Sequence, residues 1–396
     1  MSGAVINDLT RIGKAIPMTD YRRRLDQLQA DMDERNLDLV VLGASPDFQY
    51  LTGAKIDWRS GRDLNYAADS VFVPREGEPT VLGGLGNGGK VRDCWVADAR
   101  ALGTLEDMKP TIKEIMSEFD SPQKIGFGEY TYGSLVLAVA SNSPGAKYQS
   151  VEGILDKQRM IKDSTEIATL RNVANLTEKV MGKVIDELDE GISMHELTSK
   201  IRHLGMLEGA TDISFPPTGG FCKSGSEPVG VFNYEPDQPL EPGTAIAFDI
   251  GFVLDGYCSD WGRSFYLGEP AEHIEKAYPA LMTSVVETTD AMGSEVQYTD
   301  EIYGSIEKIC DREGYGDKLR ARIGSGMVGH QIGVEAHEDP WLRPQQRQEL
   351  VDGMVFCVEP KLWHKGEYYL RVEDMILIRN GKAESLSTYD RELFQL

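Results

Sequence analysis

The sequence has few basic residues, few cysteines and no long apolar run, and each shortage excludes a class of protein. Lysine and arginine together number 41, against 64 aspartates and glutamates, which gives a formal net charge of −23 at pH 7. Nucleic acids and anionic membranes bind basic surfaces, so neither is an expected partner. No stretch reaches the roughly 18 apolar residues of a membrane span. The first residues show no basic segment leading into an apolar run, so we expect no secretion signal.

The five cysteines are scattered, odd in number and without Cys-x-x-Cys spacing. This pattern predicts neither a disulfide framework nor a zinc knuckle. Free thiols in a reducing compartment are the expected state, which favours a cytoplasmic protein. Cys258 and Cys357 stand close to the candidate ligands described below, and we predict packing roles for both.

The length and apolar content predict two domains. The chain has 396 residues, of which 41% are apolar, and a single core stops growing at about 250 to 300 residues. Alternating strand-like and helix-like runs in the first part predict an α/β domain. These runs are a helix at 19–36, strands at 39–42, 70–73, 80–82 and 124–127, and a helix at 108–119. We place the domains at residues 1–155 and 156–396.

A glycine-rich stretch at 84–90 nearly spells a phosphate-binding loop. Val91 stands where such a loop needs a metal-binding Ser or Thr, so we expect no nucleotide site there. The second domain opens on a helix signal instead. Asp163 and Glu166 have capping-box spacing, and apolar residues continue at helical periodicity to Leu188. Further helices are predicted at 194–208 and 272–291.

Two aspartates in the second domain are expected to meet. Asp249 and Asp260 each lie in a short strand-like run, and Asp255 and Gly256 between them supply a hairpin turn. Carboxylates brought together in a folded interior repel, so the pair needs a shared proton or a cation. Of these two, a metal is the stronger interpretation. For this pair taken alone, two solvated carboxylates at strand ends are the simpler alternative, and the further ligands decide against it.

Three further candidate ligands follow in strand-like apolar settings. His330 lies between glycines that allow close backbone approach, and Glu359 and Glu373 lie in two buried-strand runs. Four carboxylates and one imidazole form an oxygen-rich set that suits manganese, cobalt, zinc or ferrous iron. The set is too anionic for one divalent ion, so two ions fit better.

The motifs around these residues resemble those of the pita-bread metallohydrolases, which include aminopeptidase P, prolidase, methionine aminopeptidase and creatinase. The resemblance covers residues 150–396 with every ligand position filled. It rests on Asp-Ile-Gly at 249–251, Ser-Asp-x-x-Arg-Ser-Phe at 259–265, Gly-His-x-Ile-Gly at 329–333, His-Glu-x-Pro at 337–340, Val-Glu-Pro at 358–360 and Arg-Val-Glu-Asp at 371–374. It implies an α/β domain like the creatinase and prolidase N-terminal domain, then an α+β pita-bread catalytic domain whose curved sheet carries the ligands.

The resemblance also implies the metal roles. Two divalent ions, with manganese as first choice and cobalt, zinc or iron as alternatives, would share and activate a water. Asp249 would bind one ion, His330 and Glu359 the other, and Asp260 and Glu373 would bridge both.

Three residues would then act on the substrate or its surroundings. Glu359 would take the proton of the attacking water. His337 would contact the substrate carbonyl and the tetrahedral intermediate. Arg371 would orient a bridging carboxylate or a substrate anion. The other histidines, at 195, 203, 273 and 364, are expected to have structural or surface roles.

The loop at 56–62 has two interpretations. A solvated turn is the simpler one. Because the N-terminal domain of longer family members overhangs an active site, sometimes that of a neighbouring subunit, Trp58, Arg59 and Arg62 are also candidate substrate-binding residues in a homodimer.

The sequence departs from the peptidase pattern around the ligands. Phe232, Asn233 and Tyr234 stand where peptidases carry a histidine, and the expected Asp-x-Thr-Arg-Thr, Glu-Pro-Gly and Gly-His-Gly become Asp-Trp-Gly-Arg-Ser at 260–264, Glu-Pro-Lys at 359–361 and Gly-His-Gln at 329–331. Three hypotheses therefore stand: a metallopeptidase cleaving small Xaa-Pro peptides, a hydrolase or lyase acting on a small amide, amidine or zwitterion with the same metals, and a metal-free binding protein. Five retained ligands argue against the last.

Overall fold

The computed structural model describes residues 16–59 and 68–396. The chain separates into two compact units between Arg159 and Met160. The boundary expected from the sequence lies a few residues earlier. Throughout the described ranges, every helix is too short or too polar to cross a bilayer.

The first unit is built on a mixed sheet. Its strands in the described ranges are β1 (Leu39–Gly43), β2 (Ser70–Pro74), β3 (Thr80–Gly83), β4 (Asp98–Ala101), β5 (Lys124–Phe127) and β6 (Lys147–Ser150). They lie in the order β4-β3-β2-β1-β5-β6. The central strand β1 pairs antiparallel with β2 and parallel with β5. Every residue of β1 is buried, which explains its unbroken run of apolar residues and a terminal glycine.

Helices of the first unit pack on this sheet. They are α1 (Met18–Glu34), α2 (Pro46–Thr52), α3 (Gly88–Arg92), α4 (Met108–Ser117), α5 (Gly133–Ser141) and α6 (Asp156–Met160), with a 3₁₀ turn at Leu105–Asp107. The helices predicted at 19–36 and 108–119 are confirmed as α1 and α4. The glycine-rich stretch ends in the short helix α3. Buried apolar side chains of β1, β2 and β5 form the core with those of α4 and α5.

One buried carboxylate holds this glycine-rich stretch in place. Asp69 is fully buried and accepts hydrogen bonds from Gly84 N at 2.5 Å and Asn87 Nδ2 at 2.7 Å. Burial raises the pKa of Asp69 to about 6, since these neutral donors only partly replace the lost water.

Four long helices belong to the second unit: α7 (Ser164–Asp186), α8 (Met194–Leu207), α9 (Glu272–Ala291) and α10 (Thr299–Arg312). The predicted capping box is confirmed, because Asp163 accepts from the amide of Glu166 at 3.0 Å and Glu166 accepts from the amide of Asp163 at 3.0 Å. The helices predicted at 194–208 and 272–291 are confirmed as α8 and α9. Leu188 lies beyond α7, which ends two residues earlier at Asp186.

The strands of the second unit form several small sheets. They are β7 (Asp212–Ile213), β8 (Thr218–Lys223), β9 (Thr244–Ile250), β10 (Phe252–Leu254), β11 (Tyr257–Cys258), β12 (Trp261–Leu267), β13 (Gly329–Gln331), β14 (Glu338–Trp341), β15 (Val355–Val358), β16 (Lys361–His364), β17 (Tyr368–Arg371), β18 (Asp374–Arg379), β19 (Lys382–Ser385) and β20 (Phe394–Gln395), with a 3₁₀ turn at Gly316–Lys318 and a π turn at Ala321–Ser325. Among the described strands the orders are β20-β12-β9-β8, β14-β13-β15-β18-β19, β11-β10-β7 and β16-β17. Two apolar cores lie against these sheets, one with α7 and α8 and one with α9 and α10.

Two features of these strands position the candidate ligands. Asp255 and Gly256, with φ of 51° and 87°, form the predicted turn between β10 and β11. The run at 369–378, predicted as one strand, is instead two strands separated by Val372 and Glu373. At this break the backbone leaves the two-stranded sheet β16-β17 for the five-stranded sheet that contains β18. Glu373 N donates there to Gly262 O of β12 at 2.9 Å. This hydrogen bond links the chain entering the five-stranded sheet to the four-stranded sheet, and both sheets carry candidate ligands.

Candidate metal centre

The hairpin brings Asp249 and Asp260 onto neighbouring strands. Asp249 near the end of β9 lies opposite Gly262 of β12, and Asp260 immediately precedes β12. A side chain at Gly262 would place its Cβ 2.6 Å from Arg371 Nε. The glycine therefore leaves room for the Arg371 guanidinium beside the two aspartates.

His330 reaches the same place from β13. Gly329 packs so closely on β15 that an added Cβ would lie 2.0 Å from Cys357 O. His330 Nδ1 lies 2.9 Å from Gln331 O, and a carbonyl only accepts, so Nδ1 carries the hydrogen. Burial lowers the pKa of His330 to about 4, so the ring is neutral and Nε2 presents a lone pair.

That lone pair faces two carboxylates. His330 Nε2 lies 3.6 Å from Asp260 Oδ2 and 3.7 Å from Glu359 Oε1. Two donors bound to one ion at about 2.1 Å lie roughly 3 to 3.5 Å apart. The spacing is therefore close to that of atoms sharing a cation.

The Arg371 guanidinium contacts three of the predicted ligand carboxylates. Its Nη2 donates to Glu359 Oε2 at 2.6 Å and to Glu373 Oε2 at 2.5 Å. Its Nη1 also donates to Asp249 Oδ2. Arg371 thereby fixes one oxygen of each carboxylate, and the other oxygen of each does not contact the guanidinium. This agrees with the orienting role that the sequence suggested for Arg371.

Burial and mutual repulsion shift the acids in different directions. Burial, with repulsion from Glu373 and Asp249, raises the pKa of Asp260 well above its usual range. Burial also raises the pKa of Glu373 to about 8, against the charge of Arg371. Burial alone would raise the pKa of Glu359, but the nearby charges of Lys361 and Arg371 outweigh it and lower that pKa to about 2. Without another cation the cluster therefore retains a proton.

The donor atoms that remain are those a cation would need. Within residues 16–59 and 68–396, the buried atoms Asp249 Oδ1, Asp260 Oδ1, His330 Nε2 and Glu373 Oε1 all lack a hydrogen-bond partner. Such atoms are costly unless a ligand satisfies them. Donor atoms of Asp260, His330, Cys357 and Glu373 lie within 4.8 Å of one another. The residues present thus fit a divalent metal.

Cys357 is the unexpected member of this group. Burial and the neighbouring acids raise the pKa of its thiol well above the usual range, which keeps the sulfur protonated and a poor ligand. Cys258 is also buried, and its Sγ lies 3.4 Å from Val334 O. The packing role expected for both cysteines stays a prediction.

His337 lies beside the cluster. Its ring centroid is 4.5 Å from that of His330, and it stacks on Trp341 at 5.5 Å with an interplanar angle of 9°. Burial lowers the pKa of His337, so a neutral imidazole faces the candidate centre.

Two lysines complete the surroundings, and the sequence did not assign a role to either. Lys361 of β16 lies opposite Arg371 of β17, and its Nζ donates to Glu359 Oε2. Lys162 Nζ is buried and donates to Gln331 Oε1 at 2.9 Å and Glu338 Oε2 at 3.1 Å. The Lys at position 361, where the family pattern has Gly, was the available signal for the first.

Arg263 supports the candidate centre by binding the backbone next to it. Its guanidinium is fully buried and donates five hydrogen bonds, to the carbonyls of Gly262, Glu373, Tyr389 and Asp390 and to Asp374 Oδ1. Arg391 Nε donates to the other oxygen of Asp374. The backbone that carries Glu373 is thereby fixed on β12.

The candidate substrate loop belongs to the first unit. Trp58 Nε1 donates to Gln49 Oε1 of α2 at 2.9 Å. The Arg59 guanidinium carbon lies 4.2 Å from the centroid of the Trp58 ring. Arg62 lies outside the described residues. Trp58 therefore contacts both Arg59 and α2.

Fold and donor set together define a metal-dependent hydrolase with the pita-bread architecture. The profile of Metallopeptidase family M24 matches residues 168–380, more than half of the chain, and that of the Creatinase/Prolidase N-terminal domain matches residues 24–161. The chain belongs to Metallopeptidase family M24 and carries the N-terminal domain of its creatinase and prolidase members. The predicted fold class is confirmed.

Curated relatives and solved structures agree with this assignment. The chain is 24% identical to an Xaa-Pro dipeptidase of Pyrococcus furiosus over 381 residues, which is 94% of this chain and 99% of that protein. It is 29% identical to a putative dipeptidase of Bacillus subtilis over 64% of this chain and 67% of that protein. The fold matches a prolidase of Thermococcus sibiricus with a TM-score of 0.81 at 24% identity, over 95% of this chain and 99% of that one.

Proposed function

We propose that the protein is a metal-dependent dipeptidase that cleaves small Xaa-Pro peptides. Two proteins that the chain matches over nearly their whole length, an Xaa-Pro dipeptidase and a prolidase, support this substrate class. Family membership supports the reaction type.

The observation that carries the proposal is the set of unpartnered donors around the His330 lone pair. We assign five ligands to a centre of two divalent ions, manganese first and cobalt, zinc or iron as alternatives: Asp249, Asp260, His330, Glu359 and Glu373. The surplus of carboxylates over imidazoles supports oxygen-preferring metals. When bound, such ions polarise a carbonyl and lower the pKa of water.

The chain's own groups would do the rest. Glu359, kept ionised by Lys361 and Arg371, would take a proton from the attacking water. His337 would donate a hydrogen bond to the oxygen that becomes negative in the transition state. Arg371 would hold one oxygen of three ligand carboxylates, so that these groups need no reorganisation during the reaction.

Several finer properties belong to this proposal. The catalytic domain begins near residue 156, the protein acts as a homodimer in the cytoplasm, and Trp58, Arg59 and Arg62 contribute to substrate binding. Five free cysteines support a reducing compartment. The loop's paired tryptophan and arginine support a recognition role, since both side chains suit an anionic or apolar peptide end.

A second function is favoured by one observation. At the position of the peptidase histidine, Phe232 packs edge-on against Tyr369 with centroids 5.3 Å apart, and Asn233 bonds both backbone groups of Lys223. Neither side chain can replace an imidazole towards a peptide. A hydrolase or lyase for a small amide, amidine or zwitterion therefore remains the alternative.

A substrate panel separates the two functions. Protein reconstituted with manganese is assayed against Xaa-Pro dipeptides, longer Xaa-Pro peptides and small cyclic or zwitterionic amides. We expect metal-dependent release of proline from the dipeptides. Turnover of a small amide with none of any Xaa-Pro peptide would instead establish the second function, and the same preparation treated with chelator serves as control.

A further inference from the structure

The candidate centre contains positive charge of its own. The groups that carry negative charge are four carboxylates: Asp249, Asp260, Glu359 and Glu373. Two buried cations lie among them, Arg371 and Lys361. These cations offset half of the formal negative charge before any metal binds. With half of their charge offset in this way, the four carboxylates do not by themselves require two divalent ions.

Lys361 acts on one ligand in particular. Its side chain is only 11% exposed, and its Nζ bonds Glu359 Oε2. The same oxygen accepts from Arg371 Nη2 at 2.6 Å. Glu359 is left with Oε1, which faces His330 Nε2 at 3.7 Å. A carboxylate held by two cations at one oxygen has less charge to offer an ion at the other.

The strand register gives Lys361 no stabilising role in the sheet. Lys361 and Arg371 are direct partners across β16 and β17, and like charges placed opposite each other destabilise a sheet. The Glu359 carboxylate is the one hydrogen-bond acceptor that the described residues provide for Lys361 Nζ. The lysine is thus tied to the centre through Glu359.

We propose that Lys361 is a built-in counter-ion that weakens the binding of the second divalent ion to this centre. The inference rests on the metal centre of the proposed function. Its physical basis is repulsion between the ammonium and a second dication in a buried site, where charge is poorly screened.

Metal binding by variants tests the proposal without any activity assay. The parent, Lys361→Met and Lys361→Arg are dialysed against graded Mn²⁺, and bound metal is measured per chain. We expect Lys361→Met to bind its second ion at least about tenfold more tightly than the parent, while Lys361→Arg keeps the parent's behaviour. Lys365→Met is the matched control, because Lys365 is an exposed lysine in the turn of the same hairpin. This variant should leave the binding of both ions unchanged.

Equal binding of two ions by the parent and Lys361→Met would overturn the role of Lys361 and leave the centre standing. Weaker binding by Lys361→Met would also overturn it, since Lys361 would then be holding Glu359 in its ligand position. Absence of bound metal from all forms would remove the metal centre itself. Circular dichroism of the metal-free proteins verifies folding, and Lys361→Gln provides a second neutral variant if Lys361→Met does not fold.

Discussion

Two buried charge clusters lie on opposite sides of β12, and they differ in how completely they are partnered. In the cluster around Arg263, all five guanidinium donors and both oxygens of Asp374 are hydrogen-bonded. In the cluster around Asp260, four buried donor atoms of the described residues have no partner. Arg263 and Asp374 at the centre of the first cluster are fully buried, and Asp260, His330 and Glu373 at the centre of the second are buried as well, so depth does not distinguish the two centres.

The difference separates structure from function. A fully bonded cluster rigidifies the fold and has nothing left to offer a ligand. A cluster with unpartnered atoms has a binding capacity that the folded chain alone cannot satisfy. A metal bound only to the second cluster would explain the contrast, and the experiments below are designed to test it.

The largest effect is expected from Asp260→Asn. Loss of a carboxylate assigned to both ions should remove at least one bound metal and lower activity by at least about a thousandfold. The metal-free variant should be no less stable than the metal-free parent, because an amide, unlike a carboxylate, is not repelled by Glu373 and Asp249 in the buried cluster. Metal analysis, kinetics and urea denaturation measure these outcomes. Two tightly bound ions per variant chain would refute the ligand assignment.

Arg263→Met, unlike Asp260→Asn, should destabilise the metal-free protein. The variant leaves Asp374 and several carbonyls without their donor, and removing one partner of a buried ion pair costs about 3 to 5 kcal/mol. We expect this loss in the free energy of unfolding of the metal-free protein, measured by urea denaturation. The exposed Arg312→Met is the control and should change little. An unchanged stability would show that the bonded cluster is not structural.

Asp69 is an intermediate case, because the hydrogen bonds that it accepts from Gly84 and Asn87 come from neutral donors. Its pKa of about 6 means that the folded state binds this proton more tightly than the unfolded state, where an aspartate titrates near 3.9. Stability from this group is therefore full below about pH 4 and is lost as pH rises to about 6, by up to about 3 kcal/mol. Asp69→Asn should remove that fall in urea denaturation curves at pH 4 to 7. Parallel curves for parent and variant would contradict it.

Control for this experiment comes from Asp98. A hydrogen bond from Arg100 lowers the pKa of Asp98, so its contribution is lost as pH falls. Asp98→Asn should therefore change the pH dependence in the opposite direction to Asp69→Asn.

The smallest effect concerns Arg59 in the loop at 56–62, which lies outside both buried clusters. If Arg59 pairs with a substrate carboxylate, Arg59→Ala should raise KM about tenfold, equivalent to about 1.4 kcal/mol, with metal content unchanged. Steady-state kinetics with an Xaa-Pro dipeptide measure this, and the exposed Arg92→Ala is the control. Parent-like kinetics would return the loop at 56–62 to a solvated turn.

Local sequence predicted most of the elements that carry the candidate site. Asp255 and Gly256 specified the hairpin that pairs the aspartates, and Asp163 with Glu166 specified the start of α7, because turns and caps depend on neighbouring residues. The helix α5 was missed, since the six apolar residues of Gly133–Ser141 form one unbroken run at 135–140, and no alternation with polar residues marks one face.

Long-range contacts could not be predicted in the same way. The break at Glu373 arises because its backbone pairs with Gly262, more than a hundred residues away. Lys361 lies two residues from Glu359, but its position opposite Arg371 depends on the β16–β17 register. Neither pairing leaves a local pattern. A departure from the family motif marked Lys361 as unusual without indicating what it contacts.

The hydrogen bonds of Arg263 also determine when the catalytic domain can fold during synthesis. The carbonyls of Tyr389 and Asp390 that accept from its guanidinium are made by the ribosome well over a hundred residues after Arg263 itself. Until they emerge, a cation destined for the interior has too few acceptors, and β12 cannot be buried at low cost. Contacts so distant along the chain also close slowly. We therefore expect nascent catalytic domains to stay open, and to depend on chaperones, until residues 389–391 have left the exit tunnel.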